Sequence, residues 1–192
     1  LNPNQGNGIM GIMMASSISM QESAMRLWQE MLPGRNGELI NPLLHSQYEI
    51  IDGGRWPAAY NEIVLVVDRN NELDDMTLYA MGLLPEADIE KLMSAAMEGT
   101  VLEKDEKRWS FEQICSQEYR VILNSACYVY DDATGLYKDL RQTDAGLRYL
   151  YDNGLKLRVT GIIRPKEDAS SAMLSGAIAY TSQLTEHVIT RS

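Results

Sequence analysis

Asp52–Asp68 reads DGGRWPAAYNEIVLVVD, and Leu155–Thr185 reads LKLRVTGIIRPKEDASSAMLSGAIAYTSQLT. In the first block Ile63, Val64, Leu65, Val66 and Val67 follow one another without a polar residue. An aliphatic run of that kind predicts a strand over Glu62–Asp68 that is covered on both faces. In the second, Leu157–Ile163 predicts an equally strong strand, ended by Arg164-Pro165 because proline offers no N–H to a ladder. A loop over Lys166–Ser171 and a further strand over Ala177–Thr181 follow. These strands are far apart in the chain, so the expected fold is α+β, with a mixed sheet closed by sequence-distant strands.

Working outward, Tyr48–Ile51 predicts a short strand before a turn at Gly53-Gly54, and Asn70-Asn71 a turn after the first block. Asp75 is placed to cap a short helix, Met76–Met81, that stops at Gly82. Pro85 opens a helix to Glu98 with Ile89, Leu92, Met93, Ala96 and Met97 as its apolar stripe and Gly99 as terminator. A charged strand over Val101–Trp109 is expected next, then a short helix capped by Ser110 with Gln113. Tyr119–Asn124 and Ala126–Tyr130 predict strands, and Asp131–Gly135 a polar turn into Leu136–Lys138. Thr143 caps a helix through Asn153 closed by Gly154, and Ser182 caps a last helix, Gln183–Thr190. The ends therefore look βαβ-like, with a helix-and-hairpin insert between Met76 and Asn153.

The N-terminal part has a different texture. Leu1–Ala15 is rich in Gly, Asn and Met and predicts irregular chain, while Ser19 and Glu22 form a capping box for a helix over Met20–Leu32, stopped by Pro33-Gly34. Arg35–Pro42 then reads as loop. Six of the eleven methionines precede Pro33; a Met-rich helix face can serve as an adaptable binding surface, and packing against the domain is its plainer role.

Composition bounds the function classes. With 45% hydrophobic and 23% charged residues the chain is ordinary for a globular protein. Its formal charge of −10 argues against nucleic acid and against an anionic lipid surface, both of which call for Lys and Arg. A cationic peptide or a basic partner would be attracted, although solubility is the plainest reading of the charge. The first 21 residues carry no charge, yet the apolar piece Ile9–Ala15 is far shorter than the ~20 residues of a membrane helix. No signal peptide is expected within the chain, which reads as a soluble piece of something longer. Cys115 and Cys127 are not spaced as a CxxC pair and read as two buried free thiols, with a disulfide permitted in an oxidising compartment.

No motif carries catalysis. Neither GxxxxGK[ST] nor GxGxxG is present, and Gly6-Asn7-Gly8 lacks a preceding strand. Asp68, Asn70, Glu72 and Asp74 alternate as in a calcium loop, but Leu73 stands at the position that needs glycine and Tyr79 at the one that needs a bidentate glutamate. There is no GxSxG elbow, and His45 and His187 sit in no metal or triad spacing. Scattered carboxylates could in principle assemble a hydrolase site, but no pair of them is singled out by the sequence. Arg55-Trp56-Pro57 reads either as a ligand anchor or as an aromatic lid over the sheet edge, and the lid is favoured. No catalytic, cofactor-binding or metal residue is nominated, and the chain is expected not to be an enzyme.

One resemblance adds to this. Gly54-Arg55-Trp56-Pro57 followed by Tyr60-Asn61-Glu62-Ile63-Val64-Leu65 is similar to the GR-aromatic … E-V-(V/L) block in the extracytoplasmic core domain of MacB/FtsX-type ABC transporter permeases. Leu157–Pro165 resembles that family's later strand, Gly176–Ser182 its closing strand and turn, and Tyr79–Leu83 the segment that opens its inserted lobe. The similarity spans about Tyr48–Ile189 and leaves the Met-rich start without a counterpart. It implies a two-lobed, MacB-core-like domain: an N-terminal segment and helix over 1–43, a porter-like lobe from 44–75 and 155–192, and an inserted lobe at 76–154. It further implies a place outside the membrane, between membrane helices of a permease whose cytoplasmic ATPase moves this domain mechanically. The implied partners are the transmembrane and ATPase parts of the transporter and an exported peptide or partner protein, with no cofactor. The rival expectation is a secreted or surface-tethered peptide- or glycan-binding module.

Overall fold

The computed structural model describes residues 27–99, 107–169 and 173–191. In chain order its strands are β1 (Trp28–Glu30), β2 (Tyr48–Ile51), β3 (Glu62–Val66), β4 (Glu118–Val121), β5 (Tyr128–Asp131), β6 (Leu136–Asp139), β7 (Leu155–Pro165) and β8 (Ile178–Tyr180). Its helices are α1 (Pro42–Gln47), α2 (Asp75–Ala80), α3 (Glu86–Glu98), α4 (Phe111–Cys115), α5 (Asp144–Asn153) and α6 (Ser182–Arg191). Six strands form one mixed sheet in the order β1-β8-β3-β7-β2, with β4 also paired to β7; β5 and β6 form a separate two-stranded sheet. The fold is thus mixed α+β, as the strand pattern predicts.

The apolar run of β3 earns its place at the centre. Parallel to β7 on one side and antiparallel to β8 on the other, it has all five residues buried. Its side chains alternate between two cores. Ile63, Leu65 and Val67 join a cluster with Leu157, Val159, Ile178, Met81 and Leu184, while Val64 and Val66 join Met31, Leu44, Tyr48, Ile163 and Leu174 on the opposite face. Each such aliphatic side chain contributes about 1.5–3 kcal/mol by leaving water. A polar substitution anywhere in β3 would therefore damage one core or the other.

The β3–β7 pairing contains a register shift. Ile63 lies opposite Val159 but Val64 lies opposite Gly161, so Thr160 is an extra residue on β7. A bulge of this kind resets the alternation of the strand. Leu157 and Val159 face the first core, and so does Ile162, which strict alternation from Val159 would have turned away. The other edge of β7 is shared: β4 pairs with Leu155–Arg158 and β2 with Ile162–Pro165. The interval between them is spanned by Arg55, whose backbone N–H donates to the Thr160 carbonyl at 2.9 Å.

The structure corrects several local expectations. Trp28–Glu30 is a strand, where a helix over Met20–Leu32 is expected; residues 20–26, with the Ser19–Glu22 box, lie outside the described residues. Parallel pairing with β8 decides it, reinforced by Trp28 packed edge-on to Tyr119 at 6.1 Å. Pro42 opens α1 rather than ending a loop: Asn41 caps it by accepting from Leu43 N–H at 3.0 Å, and proline at the first helical position costs no hydrogen bond. The cap of α2 is Asp74, not Asp75, and Met97 is 79% exposed while Ala95 is buried, so Met97 is not on a buried stripe. Lys107–Trp109 is not strand, and the rest of the expected strand, 101–106, lies outside the described residues. β4 ends at Val121, and Asn124–Cys127 is a 3-10 turn, so Cys127 precedes β5 instead of lying in it. β7 is longer than Leu157–Ile163 because Arg164 and Pro165 still pair with β2, with Pro165 at the strand's end.

Residues 76–154 are tied into the sheet. β4 pairs with β7, and Phe111, Ile114 and Tyr119 pack against the same cluster as Ile63 and Leu157. Tyr119 also donates its hydroxyl to the Met81 carbonyl at 3.2 Å, and its burial pushes the phenol up to about 12.

Candidate functional site

The residues that the sequence singles out around Gly54–Glu62 converge on the β7 bulge. After β2, Asp52 and Gly53 take positive φ angles of 55° and 77°, a kink that lets Gly54 and Arg55 return alongside β7. A Cβ on Gly54 would lie 2.6 Å from Gly161 Cα, and one on Gly161 would lie 2.7 Å from the Arg55 carbonyl oxygen. Only two glycines allow the backbones this close. The Arg55 guanidinium then grips Glu62 with two hydrogen bonds of 2.7 and 2.5 Å, and Glu62 also accepts the Ala58 N–H at 2.8 Å. The Arg55 bond, aided by the Ala58 N–H, holds the Glu62 carboxyl below its usual range against the opposing effect of burial. Trp56 packs on the second core with His45 edge-on at 4.5 Å, and Pro57 is buried. The RWP stretch is therefore a latch and lid over the sheet, with its arginine already paired.

The other candidates are dispersed. Asp68 accepts the N–H groups of Asn70 and Glu72 at 2.8 and 2.7 Å, and Asp74 accepts from Thr77. Those carboxylates organise a turn and a helix start, and among the described residues no group of three or more His, Cys, Asp or Glu side chains is gathered to hold a metal. His187 stacks on Tyr60 at 4.2 Å, away from His45. Cys115 and Cys127 are both free thiols, Cys127 buried and Cys115 partly so, with burial raising the Cys115 thiol.

What the tertiary structure does assemble is a surface. Of the fourteen exposed large hydrophobic residues among the described residues, nine fall between Ile122 and Tyr151, which marks the hairpin and α5 as the apolar side of the molecule. The register of β5 and β6 puts Tyr128, Tyr130 and Tyr137 on one face, since Tyr128 lies opposite Asp139 and Tyr130 opposite Tyr137. Tyr130 and Tyr137 meet edge to face at 5.3 Å, with 51% and 71% of their surfaces exposed. At the base of the hairpin Arg141 lies 5.2 Å over the Tyr128 ring and donates to its hydroxyl at 2.7 Å. Asp139 anchors the same guanidinium at 2.8 Å, which lowers its own carboxyl to about 2. The opposite face carries Val129 and Leu136 beside the Lys138–Asp131 ion pair at 2.6 Å.

Behind the hairpin runs an apolar groove of about 380 Å³ between β4, α5 and α6, lined by Ile122, Val129, Tyr149, Leu155 and Val188 among others. His187 and Arg191 on α6 also line a more open hollow of about 480 Å³ beside Tyr60, so the two concavities adjoin along α6. Thr143 caps α5 by accepting the Gly146 N–H at 3.1 Å and so fixes how α5 leaves the hairpin. What this side of the molecule presents is aromatic faces, the edge N–H and C=O groups of the hairpin, and carboxylates at the rim.

The sequence reading nominates no binding residue. The alternation Tyr128, Tyr130 and the turn at Asp131–Gly135 were the available signal, but alternation tells which side chains share a face and not whether another element covers it. No protein-family model, no curated protein and no solved structure matches this chain.

Proposed function

We propose that this chain is the extracytoplasmic domain of a MacB/FtsX-type ABC transporter permease. In this reading it recognises or couples to a substrate or partner protein during ATP-driven export or signalling and performs no catalysis. One observation carries it: two of the segments on which the resemblance rests meet in a single contact. Gly54, Arg55 and Glu62 from the first block meet Thr160 and Gly161 from the second at the β7 bulge, across about a hundred residues of chain. A motif set held in common by a family is expected to coincide with a structural unit of this kind, and the same two blocks supply the central strand pair β3–β7.

The porter-like lobe would then comprise 44–75 and 155–192, and the inserted lobe 76–154. Coupling between them would pass through β4 on β7 and through Phe111 and Tyr119 in the first core. The membrane helices would belong to the flanking parts of the permease: among the described residues no helix is long and apolar enough to cross a membrane. The domain would face the outside of the cell membrane, with the transmembrane and ATPase parts as its constant partners.

The test is the parent reading frame on both sides of Leu1 and Ser192. An apolar helix of about 20 residues upstream, several more downstream and a Walker A motif in the same or the adjacent frame are the expected result. A signal peptide upstream with a stop or wall anchor downstream would overturn the reading in favour of a secreted binding module.

A further inference from the structure

The β5–β6 hairpin is exposed in a way that two-stranded sheets rarely sustain. Six of its eight residues from Tyr128–Asp131 and Leu136–Asp139 are exposed and the other two only partly covered, and neither outer edge pairs with another strand among the described residues. Isolated hairpins are marginally stable in water, and unpaired edges invite a further strand.

The chemistry of the surface says which strand. The molecule already places guanidinium groups on tyrosine rings at two points of this side: Arg141 at 5.2 Å over Tyr128, and Arg120 at 5.1 Å over Tyr151. Tyr130 and Tyr137 offer the same kind of ring, and no guanidinium among the described residues is recorded over either. The charge balance agrees. Residues 124–153 carry five aspartates (131, 132, 139, 144 and 152) against Lys138, Arg141 and Arg148, a net −2 in a chain of net −10. A second copy of this chain would bring like charge to like charge, whereas a basic strand would be drawn in.

We propose that the tyrosine face of the β5–β6 hairpin docks an extended, arginine-bearing segment of a partner protein. The segment adds to the outer edge of the hairpin by main-chain hydrogen bonds, and its alternate side chains fall on one face. An arginine opposite Tyr137 on the β6 edge then stacks on the Tyr130–Tyr137 ring pair, with the rim carboxylates supplying counter-charge to the arginines two places to either side. This names the occupant of a recognising surface and borrows only its biological setting from the permease reading. The parent reading frame and the titration below therefore fail independently.

The probe is a capped synthetic peptide alternating Arg with Val and Thr, titrated into the whole 192-residue chain by calorimetry and by NMR of the tyrosine rings. A Lys-for-Arg version of equal charge and a Glu version serve as comparisons. The expected result is about tenfold tighter binding of the Arg peptide than of the Lys peptide, from stacking on the paired rings, with ring shifts confined to the hairpin and no binding of the Glu peptide. Tyr137→Leu should bring the Arg peptide down to the Lys level and Tyr137→Phe should leave it bound, since the first removes the ring and the second keeps it. Leu43→Ala, exposed on α1 and outside the hairpin and both hollows, should change nothing, and unchanged thermal melting of each variant secures the comparison. Equal binding of the Arg and Lys peptides, indifference to Tyr137→Leu, or a concentration-dependent dimer abolished by Tyr137→Leu would each overturn the proposal. The first two would leave diffuse electrostatics, and the third self-association.

Discussion

Replacing Gly161 by alanine tests the central contact of the fold. The added Cβ would stand 2.7 Å from the Arg55 carbonyl oxygen and 3.1 Å from its nitrogen, where real Cβ contacts below 3.0 Å are essentially unknown. Both neighbours are backbone atoms, so no rotamer change relieves the clash. Arg55 is held on two sides, by its N–H to the Thr160 carbonyl at 2.9 Å and by its side chain on Glu62. Retreat by Arg55 would break the first of these, a net loss of about 0.5–1.5 kcal/mol. Staying put costs the ~1–3 kcal/mol of an overpacked core. In a protein of this size each kcal/mol lowers the melting temperature by ~2–4 °C, so the variant should melt roughly 3–10 °C below the wild type. Circular dichroism on heating, with urea unfolding beside it, reads this directly. Gly54→Ala meets the same contact from the other side, at 2.6 Å from Gly161 Cα, so the double variant should lose less than the sum of the singles. The exposed substitution Asp152→Ala supplies the baseline, within ~0.5 kcal/mol of wild type. A Gly161→Ala protein as stable as that baseline would refute the close approach and, with it, the latch.

Three further outcomes follow from the side-chain chemistry. Glu62 has a depressed folded-state pKa, so its contribution is fully present above its ordinary value of 4.5 and is lost as the pH falls from there through the folded value. Glu62→Gln should flatten that part of the stability–pH curve, and unchanged acid dependence would count against the Arg55–Glu62 pairing. Tyr119 behaves oppositely: a phenol raised from 10 to about 12 favours the folded state below pH 10 and loses that contribution between pH 10 and 12. Tyr119→Phe should remove a late step near pH 12 from the ultraviolet tyrosinate titration; retention of that step would place the buried phenol elsewhere. Thr143→Ala should cost about 0.5–2 kcal/mol in urea unfolding by leaving the Gly146 N–H without its cap, and no loss would mean that solvent replaces it freely.

Much of this architecture was readable residue by residue. The Ser110–Gln113 capping box closes in both directions, with Gln113 N–H donating to Ser110 Oγ and Gln113 Oε1 accepting from Ser110 N–H. Thr143 and Gly154 bound α5, Gly99 ends α3 at a φ of 67°, and Asp131–Gly135 makes the hairpin turn. Such signals act over three or four residues and need no partner from elsewhere. Asn41-Pro42 carried a signal of the same sort, a cap followed by proline, that points to α1. Trp28–Glu30 had none: three residues adjoining a capping-box pattern become strand only because β8 presents an edge to them.

The sequence by itself determined that two apolar blocks must be strands, that caps and turns punctuate the segment between them, and that the chain carries a formal charge of −10. Tertiary structure alone decided that Thr160 bulges, that Gly54 and Gly161 meet, and that three tyrosines stand uncovered on a hairpin. The physical reason is range. Backbone propensity and capping are settled by neighbours along the chain. Close approach, register and exposure depend on which distant segment arrives, and β3 and β7 are separated by about ninety residues.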